Sequence, residues 1–451
     1  MKKGIGLVLV LLLAFSMAAF AGGREEVAEV ETYEGPFDWR RFEGQTIKLL
    51  LNQHPYTDGM VAELDNFIEK TGINVEYDIF PEEEYFDRVT VALSSRSSEY
   101  DAFMTGAYQV WQYAPPGWME DLSIWIENDS VTNPDYDFAD IIDEIASGLR
   151  WDGVDGSVLG EGPQYALPWG FEGNTLMYNQ EVFNELGLDL PETLDDVIEI
   201  GKVIKAETDM IPIAVRGTRS WATIHPGFMT AFHSAGGQDY DGNMNPIMNN
   251  DIGVRFVEKW IEMVQEVGPP EWTTYTWYDV GNALGSESAA MIYDADILGY
   301  FQNEPGASAA SGKIAWAANP PGLDEPASTP NMWIWSLAMN NFSESKGPAW
   351  YWLQWATGKE FLTTAAVEHS TVNPVRASIW EDPAFQSRLD DFDGYLEQYE
   401  NLIAGTGIHF TPQSRFFETT TEWAAALHRV YDGDDAQQVL DDLVRRLEEE
   451  F

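Results

Sequence analysis

Acidic and aromatic side chains of this sequence gather where its predicted strands end. Trp169, Phe171 and Glu172 lie in one strand-rich stretch, and Asp294 and Asp296 directly follow the apolar run AAMIY. Carboxylates form strong charge-assisted hydrogen bonds with hydroxyl groups, and an aromatic face packs against the weakly apolar carbon skeleton of a sugar or polyol. These residues favour a binding site for a hydroxylated small molecule. For the Asp pair, a simple turn at the end of a strand is the alternative.

Two tryptophans alternate on a later predicted strand. Trp333 and Trp335 flank Ile334, so both side chains point to the same face of the strand. If this face lines a cleft, one ring stacks on the ligand. Ordinary core packing is the alternative, because buried aromatic rings dominate protein cores. The tryptophans of the helical segment 349–359 are predicted to be core residues.

Other candidates for ligand contact lie in loops next to predicted strands. They are His54 and Tyr56 after the first strand, Tyr108 after the third, and Trp221 and His225 in the loop 216–225. Each could equally be an ordinary surface residue. Arg376, one of few cations in an acidic chain, is predicted either to contact a ligand or to form a structural salt bridge.

The enzyme and metal motifs of this sequence are incomplete. A Ser-x-x-Lys motif at Ser343 follows a Lys-Thr-Gly motif at Lys70, the reverse of the order in penicillin-reactive enzymes, and Ser-Asp-Asn is missing. The acidic turn at Asp239 lacks the spacing and the Glu of a calcium loop. The six histidines show no close metal spacing, and no Gly-Lys pair precedes Ser or Thr as in a phosphate-binding loop. We therefore predict no cofactor, no metal and no catalysis.

A secreted glycosidase is the enzyme class that stays open. Such an enzyme needs two carboxylates about 5–10 Å apart across a cleft. Glu172 and Asp294 are the pair that fits this requirement. Turnover of oligosaccharides would favour this alternative, and tight binding without hydrolysis would exclude it.

Strands alternate with helices along the chain. Strands are predicted at 46–51, 73–79 and 100–104, with helices at 59–70 and 81–94. This alternation is typical of a parallel, doubly wound α/β lobe, in which ligands bind beyond the carboxyl ends of the strands. The second half continues with strands at 211–215, 289–293 and 333–339 and helices at 181–186, 227–235, 250–267, 349–359 and 434–449.

The stretch 162–179 is predicted to connect two lobes. A chain of 451 residues exceeds the ~250–300 residues at which single cores stop growing. The stretch has two strand-like halves, 165–169 and 175–178, separated by the glycine-rich segment 170–174. With 333–339 as a second crossing, it would bend when the lobes close and also contribute side chains to the cleft.

The N-terminal segment and the composition of the chain predict an exported protein. The first 21 residues have a basic start, an apolar run too short to span a bilayer, and the small-residue end Ala-Phe-Ala, which is typical of a secretory signal. The sequence has no cysteine, so neither a disulfide nor a lipid-anchor cysteine is expected. The formal net charge of −50 argues against nucleic acid as a partner. We expect a periplasmic monomer with a signal peptide.

The order of several motifs resembles the family 1 extracellular solute-binding proteins of ABC importers, the maltose-binding-protein-like family. The motifs are YALPW, YNQEVFNELGL and PETLDD within 165–196, the pair Gly236-Gly237 with DYDGN, AAMIYDADI at 289–297, NMWIW at 331–335, AWYWLQWATGKEFL at 349–362 and NPVR at 373–376. Within the family, the segments 104–122 and 268–279 and the strand NMWIWSLA are most similar to members that take polyols such as mannitol or sorbitol.

This resemblance implies a type II-like periplasmic binding protein of the α/β class, whose two lobes are sheets flanked by helices and joined at a hinge. It implies capture of a sugar or polyol between the lobes and delivery to membrane permease subunits of an ABC transporter. The implied division is a signal peptide at 1–21, a flexible leader at 22–43, an N-lobe at 44–170 and 336–385, and a C-lobe at 171–335 and 386–451. Arg415 and Phe416 resemble the position of an aromatic ligand contact in the family.

Overall fold

The structure is a computed structural model that describes residues 35–450. The predicted signal peptide, 1–21, lies outside the described residues, as does most of the predicted leader. The strands are β1 (Thr46–Asn52), β2 (Asn74–Phe80), β3 (Ala102–Gly106), β4 (Leu167–Asn179), β5 (Ile211–Ala214), β6 (Ala289–Ala295), β7 (Ile314–Trp316) and β8 (Met332–Met339). No helix among residues 35–450 combines the length and the apolar character that crossing a membrane requires.

Helices connect and cover these strands. They are α1 (Pro55–Ala62), α2 (Leu64–Thr71), α3 (Glu82–Ser94), α4 (Ala107–Tyr113), α5 (Ser123–Ile126), α6 (Asp143–Ser147), α7 (Gln180–Leu186), α8 (Leu194–Glu207), α9 (Trp221–Ile224), α10 (Gly227–Ser234), α11 (Asp251–Val267), α12 (Trp277–Gly285), α13 (Asp296–Asn303), α14 (Lys346–Ala356), α15 (Lys359–Glu368), α16 (Ala377–Trp380), α17 (Pro383–Leu389), α18 (Tyr395–Leu402), α19 (Phe416–Tyr431) and α20 (Ala436–Glu450). Short 3-10 turns lie at Phe138–Asp140, Trp272–Thr274 and Ile403–Gly405.

The strands form two sheets that share the long strand β4. The first sheet has the order β2-β1-β3-β8-β4, and in the second β4 pairs with β6 and β7 while β6 pairs with β5. β4 pairs with β8 as far as Gly173 and with β6 from Asn174 onward. We call the first sheet with its helices the N-lobe and the second the C-lobe. The predicted two-lobed α/β fold is thereby confirmed.

The sheets are mixed rather than purely parallel. β1 pairs in parallel with β2 and β3, and β5 with β6. β8 runs antiparallel to both β3 and β4, and β4 runs antiparallel to β6. The prediction of parallel lobes therefore differs from the structure at the lobe boundary, where β4 and β8 run antiparallel to their neighbours.

β4 is one continuous strand of 13 residues, and its glycine-rich centre is not a break. The predicted separation of two strand halves is wrong, because the pairing continues through this centre with one register shift between Pro168 and Gly170. A Cβ atom on Gly170 would lie 2.0 Å from Cε2 of Tyr56, so glycine here allows the ring to approach the strand. The change of partner strand falls after Gly173, three residues later than the predicted lobe boundary.

Local capping fixes the helices that border the site. The predicted helix 59–70 is two helices that meet at Glu63, and α2 ends at Gly72 with φ of +70°. α1 begins directly after His54, whose Nδ1 accepts a hydrogen bond from the backbone N–H of Tyr56. The side chain of Thr276 caps α12 and forms a reciprocal capping box with Asp279. These caps fix the first residues of α1 and α12, and both helices begin beside the gap between the lobes.

The described end of the predicted leader packs on the N-lobe. Phe42 is 4% exposed, and the rings of Phe37, Trp39 and Phe42 contact Tyr351 in α14. The expectation of flexibility does not hold for this part, because its aromatic rings cover apolar surface of the lobe.

Candidate functional site

A cavity lies between the lobes, next to the ends of β1, β5 and β6. It has about 380 Å³ of space not filled by protein atoms, part of which is continuous with solvent. Its wall comprises His54, Glu82, Glu172, Arg216, Trp221, His225, Trp277, Ala295, Ile297, Leu298, Trp333 and Trp335. Both lobes and both strands at their boundary thus contribute to the wall.

A buried ion pair forms one part of this wall. Arg216, two residues after β5, donates from Nε and Nη2 to the carboxylate of Asp294 in β6, with distances of 2.5–3.2 Å. Burial disfavours the charged guanidinium, but the Asp294 carboxylate outweighs this effect and raises the pKa of Arg216. Among the described residues, no acceptor lies within hydrogen-bonding distance of the remaining amino group, Nη1. This group keeps its donors for a ligand.

Glu172 projects from β4 into the same cavity. The indole N–H of Trp335 donates to its Oε1 at 2.7 Å, and no described residue bonds to Oε2. Burial raises the pKa of Glu172 to about 8, against the opposing effects of Arg216 and of the Trp335 hydrogen bond. At neutral pH this side chain is therefore mostly an uncharged carboxylic acid, able both to donate and to accept a hydrogen bond.

Two neutral histidines present N–H donors. Nδ1 of His54 accepts the Tyr56 N–H, so the proton of the neutral ring lies on Nε2. Burial lowers the pKa of His54 to about 3 and also lowers that of His225, so both rings are uncharged at neutral pH. Nδ1 of His225 lies 3.1 Å from both Tyr108 Oη and Asn331 Nδ2. Because Asn331 Nδ2 can only donate, His225 also carries its proton on Nε2.

An aromatic wall covers one side of the cavity. Trp221 and Trp333 stack with ring centroids 5.3 Å apart and an angle of 28°. Tyr108 and Phe416 pack behind Trp221, and Gly106 allows the Trp333 ring to lie directly on the backbone, where a Cβ atom would come within 2.0 Å. The rings of this wall contact one another on several sides, and all of them except the partly buried Trp221 are buried.

Some indole donors on the wall have no protein partner. The Nε1 atoms of Trp277 and Trp333 are buried and make no hydrogen bond within residues 35–450. An unpaired buried donor is costly unless water or a ligand satisfies it. With Nη1 of Arg216 and the two histidine Nε2–H groups, these atoms offer a set of donors to one small ligand.

The structure brings together six of the fifteen side chains predicted for the site. His54, Glu172, Trp221, His225, Trp333 and Trp335 line the cavity. A second group, which contacts these or orients a wall residue, comprises Tyr56, Tyr108, Asp294 and Phe416. Trp169 packs on Tyr56, and Phe171 packs between Trp380 and Tyr399. Asp296, Arg376 and Arg415 have other roles.

Arg376 does not reach the cavity. It is fully buried in the N-lobe, where its guanidinium donates to the carbonyl oxygens of Thr357, Tyr136 and Asp137. Its Nη1 also lies 3.4 Å from Asp140 Oδ2, an ion pair of the kind named as the structural alternative. The predicted ligand contact has no support in this geometry. Arg415 also lies away from the wall, at the start of α19, where it pairs with Glu418.

Asp296 contacts the strand at the lobe boundary instead of the cavity. Its carboxylate accepts hydrogen bonds from the backbone N–H of Gly173 and from Nδ2 of Asn373. Burial raises the pKa of Asp296 to about 7, although these hydrogen bonds oppose the shift. The predicted ligand role of Asp296 has no support in this geometry.

Sequence reasoning missed several wall residues, of which Arg216 and Trp277 carry the most chemistry. Arg216 is a rare cation directly after the predicted strand 211–215, a signal of the same kind as that used for Arg376. Trp277 follows the Thr-x-x-Asp capping signal of α12. The sequence around Trp277 gives no sign of a cavity, because the wall that faces Trp277 across the cavity comes from α1 in the other lobe.

One group of side chains in the described chain has the composition of a metal site. Glu63, Glu368 and His369 have ligand atoms within 4.8 Å of one another, on the N-lobe surface between α1 and α15. Glu63 and His369 already bond to each other at 2.7 Å. These residues take no part in the cavity.

Comparisons with known proteins agree with this geometry. The model of the family described as bacterial extracellular solute-binding proteins matches residues 53–361. The chain is 44% identical over 434 residues to the erythritol/L-threitol-binding protein of Mycolicibacterium smegmatis, a match that covers 95% of this chain and 91% of that relative. It is 21% identical over 306 residues to the mannitol-binding protein of Pseudomonas aeruginosa, covering 67% of this chain and 66% of that relative.

Solved structures are similar over nearly the whole chain. A solute-binding protein from Agrobacterium radiobacter in complex with ribitol has a TM-score of 0.78 and 20% identity, and the match covers 92% of this chain and 100% of that chain. One from Agrobacterium vitis with bound D-mannitol has a TM-score of 0.76 and 21% identity, covering 90% of this chain and 98% of that chain. At this identity the likeness shows the fold, in which two lobes enclose a cleft.

Proposed function

This chain belongs to the bacterial extracellular solute-binding protein family, and we propose that it captures a short polyol in the cavity between its lobes. In this proposal it is an exported periplasmic receptor that acts as a monomer. It delivers the polyol to the membrane permease subunits of an ABC importer, without catalysis and without nucleic acid as a partner.

The observation that carries the proposal is the balance of charge on the cavity wall. Arg216 is the one cation among the lining residues, and Asp294 neutralises it at 2.5 Å. Glu172 is mostly protonated at neutral pH, and both histidines are uncharged. Glu82 adds a further acidic side chain to the wall. A carboxylate or phosphate ligand would therefore enter a site with no uncompensated positive charge, which is unfavourable. A neutral ligand with several hydroxyl groups avoids this cost.

The hydrogen-bonding groups also suit a polyol. Hydroxyl oxygens accept from the Arg216, histidine and indole N–H groups, and hydroxyl hydrogens are donated to Glu172 and Glu82. The stacked Trp221 and Trp333 rings give the carbon chain an apolar surface. The relative named for erythritol and L-threitol makes four-carbon polyols the first ligands to test.

The contacts of Asp294 argue against the alternative of a glycosidase. A retaining enzyme needs a carboxylate free to attack, and an inverting enzyme needs one free to activate water. Asp294 is fully buried, and both of its oxygens accept hydrogen bonds from Arg216. It cannot take either role without losing the ion pair.

Calorimetry on the purified protein tests the proposal. We expect binding of one molecule of erythritol or L-threitol, with weaker binding of ribitol, D-mannitol and maltose, and no release of product from oligosaccharides. Arg216→Lys keeps the charge but loses the bidentate geometry and should weaken binding about 10- to 100-fold. Arg415→Lys is the matched control on the protein surface and should bind as the wild type does. No binding of any of these polyols at millimolar concentration would overturn the proposal.

A further inference from the structure

Asp296 and Asn373 meet where the two lobes join, outside the cavity wall. Nδ2 of Asn373 donates to both oxygens of Asp296 at 3.0 Å and lies 2.9 Å from the carbonyl oxygen of Phe171. The backbone N–H of Gly173 donates to the same carboxylate at 3.1 Å. We define these three residues, Asp296, Asn373 and Gly173, as the hinge clamp.

The clamp ties together three separate segments. Gly173 is the last β4 residue that pairs within the N-lobe sheet, and Asp296 is the first residue of α13 in the C-lobe. Asn373 lies in the loop between α15 and α16. The carbonyl oxygen of the residue before it, Val372, accepts a hydrogen bond from the hydroxyl group of Tyr56 in the N-lobe. A carboxylate of one lobe is thus bonded to a loop of the other lobe and to the strand that they share.

Asn373 has a backbone conformation that few residues adopt. Its φ is +54°, in the left-handed region, which asparagine tolerates better than most residues. The side chain is 1% exposed, and its Oδ1 accepts a hydrogen bond from Tyr395. Both ends of the amide are therefore bonded in this conformation, which orients Nδ2 toward Asp296.

The lobes are closed in this structure. Tyr108 of the N-lobe lies 3.1 Å from His225 of the C-lobe, and the rings of His54 and Trp277 face each other across the cavity at 6.5 Å. An opening rotation about β4 would move α13 relative to the loop that carries Asn373. Hydrogen bonds between a carboxylate and an amide are sensitive to such a displacement, because they weaken steeply with distance and angle.

We propose that the hinge clamp stabilises the closed arrangement of the lobes and that Asp296 and Asn373 are positioning residues for ligand capture. The part of this inference that concerns affinity rests on the proposed function. A ligand that binds only the closed form has an apparent affinity proportional to the closed fraction. Weakening the clamp should therefore lower affinity through faster release, with little change in the association rate.

Substitutions at position 373 separate the clamp from the backbone that carries it. Asn373→Gly removes the amide and still permits the positive φ. Asn373→Asp keeps the size of the side chain but replaces the amide donor by a carboxyl group. Because burial raises the pKa of Asp296 to about 7, the two acids can share a proton at neutral pH. At pH 9 two carboxylates face each other, so Asn373→Asp should then open the lobes further than Asn373→Gly does. Glu287→Gly is the matched control, since Glu287 also has a positive φ, of +58°, and its side chain bonds to Lys313 and Asn179 within the C-lobe.

Distance measurements between the lobes provide the test. The chain has no cysteine, so Val91→Cys on α3 and Val203→Cys on α8, which are 67% and 41% exposed, permit fluorophores on opposite lobes. In ligand-free protein at pH 9 we expect energy transfer to fall from wild type to Asn373→Gly and again to Asn373→Asp, with Glu287→Gly unchanged. For erythritol we expect release to be about 10- to 100-fold faster in Asn373→Gly, the range for loss of a hydrogen bond to a charged group.

The two hypotheses fail in different ways. Unchanged energy transfer in folded Asn373→Gly and Asn373→Asp would overturn the clamp, whatever the wild type binds. A wild type that binds no polyol would overturn the proposed function, while the energy transfer of ligand-free protein still decides the clamp. Near-ultraviolet circular dichroism identifies any variant that does not fold, and Asp296→Ala, which removes the acceptor oxygens, then takes its place.

Discussion

Replacing Glu172 with glutamine should change how the stability of the ligand-free protein depends on pH. Burial raises the pKa of Glu172 from its usual 4.5 to about 8, so the folded protein holds a proton that the unfolded chain releases at neutral pH. This contribution to stability is fully present below pH 4.5 and is lost as the pH rises through about 8. Glutamine keeps the size and an oxygen acceptor for the Trp335 N–H but does not titrate.

The magnitude follows from the size of the shift. One pKa unit corresponds to about 1.4 kcal/mol, and between pH 5 and pH 8 the folded state retains nearly one proton more than the unfolded chain over most of the range. The free energy of unfolding of the wild type should therefore fall by about 3.5 kcal/mol relative to the Glu172→Gln variant over this interval. Other titrating groups, including Asp296, are present in both proteins and largely cancel in the difference.

Urea unfolding of both proteins at pH 5, 6, 7 and 8 measures this difference. The comparison uses ligand-free protein at one ionic strength, because bound ligand and screening both change stability. The difference in unfolding free energy should move steadily in favour of Glu172→Gln as the pH rises. A difference that stays constant within about 1 kcal/mol would refute a buried, protonated Glu172.

Four further substitutions test the packing around the site. Gly170→Ala should destabilise the protein by about 1–3 kcal/mol in urea unfolding, because its Cβ would meet the Tyr56 ring at 2.0 Å. Gly173→Ala should be nearly neutral in the same measurement, because the nearest atom lies at 3.4 Å. Arg376→Met should lower the free energy of unfolding by about 3–5 kcal/mol without changing the polyol affinity of the folded protein, measured by calorimetry. Trp333→Leu should weaken polyol binding about 10-fold in calorimetry, because one face of the indole stack is lost.

The sequence predicted the order of elements well because their signals are local. Alternating apolar runs, capping residues and terminal glycines placed most strands and helices within a few residues of their observed bounds. The predicted break in β4 fails for a physical reason. Glycine weakens a strand in isolation, but Gly170 is retained here because the Tyr56 ring of another element occupies the space of a side chain.

The site could be predicted only in part, because the role of a polar side chain depends on a distant partner. Asp294 and Asp296 look alike in the sequence, at the end of one strand. The first is bonded to Arg216, 78 residues away, and the second to Asn373, 77 residues away. Arg376 and Arg216 were equally conspicuous as rare cations, and only the fold decides which one faces the cavity. No local pattern contains this information.

β4 links ligand contact to lobe closure through two consecutive residues. The Glu172 side chain points into the cavity, and the backbone N–H of the next residue, Gly173, donates to Asp296. A ligand shifts the lobe equilibrium only as far as it binds the closed form better than the open form. A contact at Glu172 satisfies this condition, because its wall partners Trp335 and Arg216 belong to different lobes. Changes at Glu172 should therefore alter affinity and closure together, and so should changes at Trp221, whose ring contacts Tyr108 and Trp333 of the N-lobe.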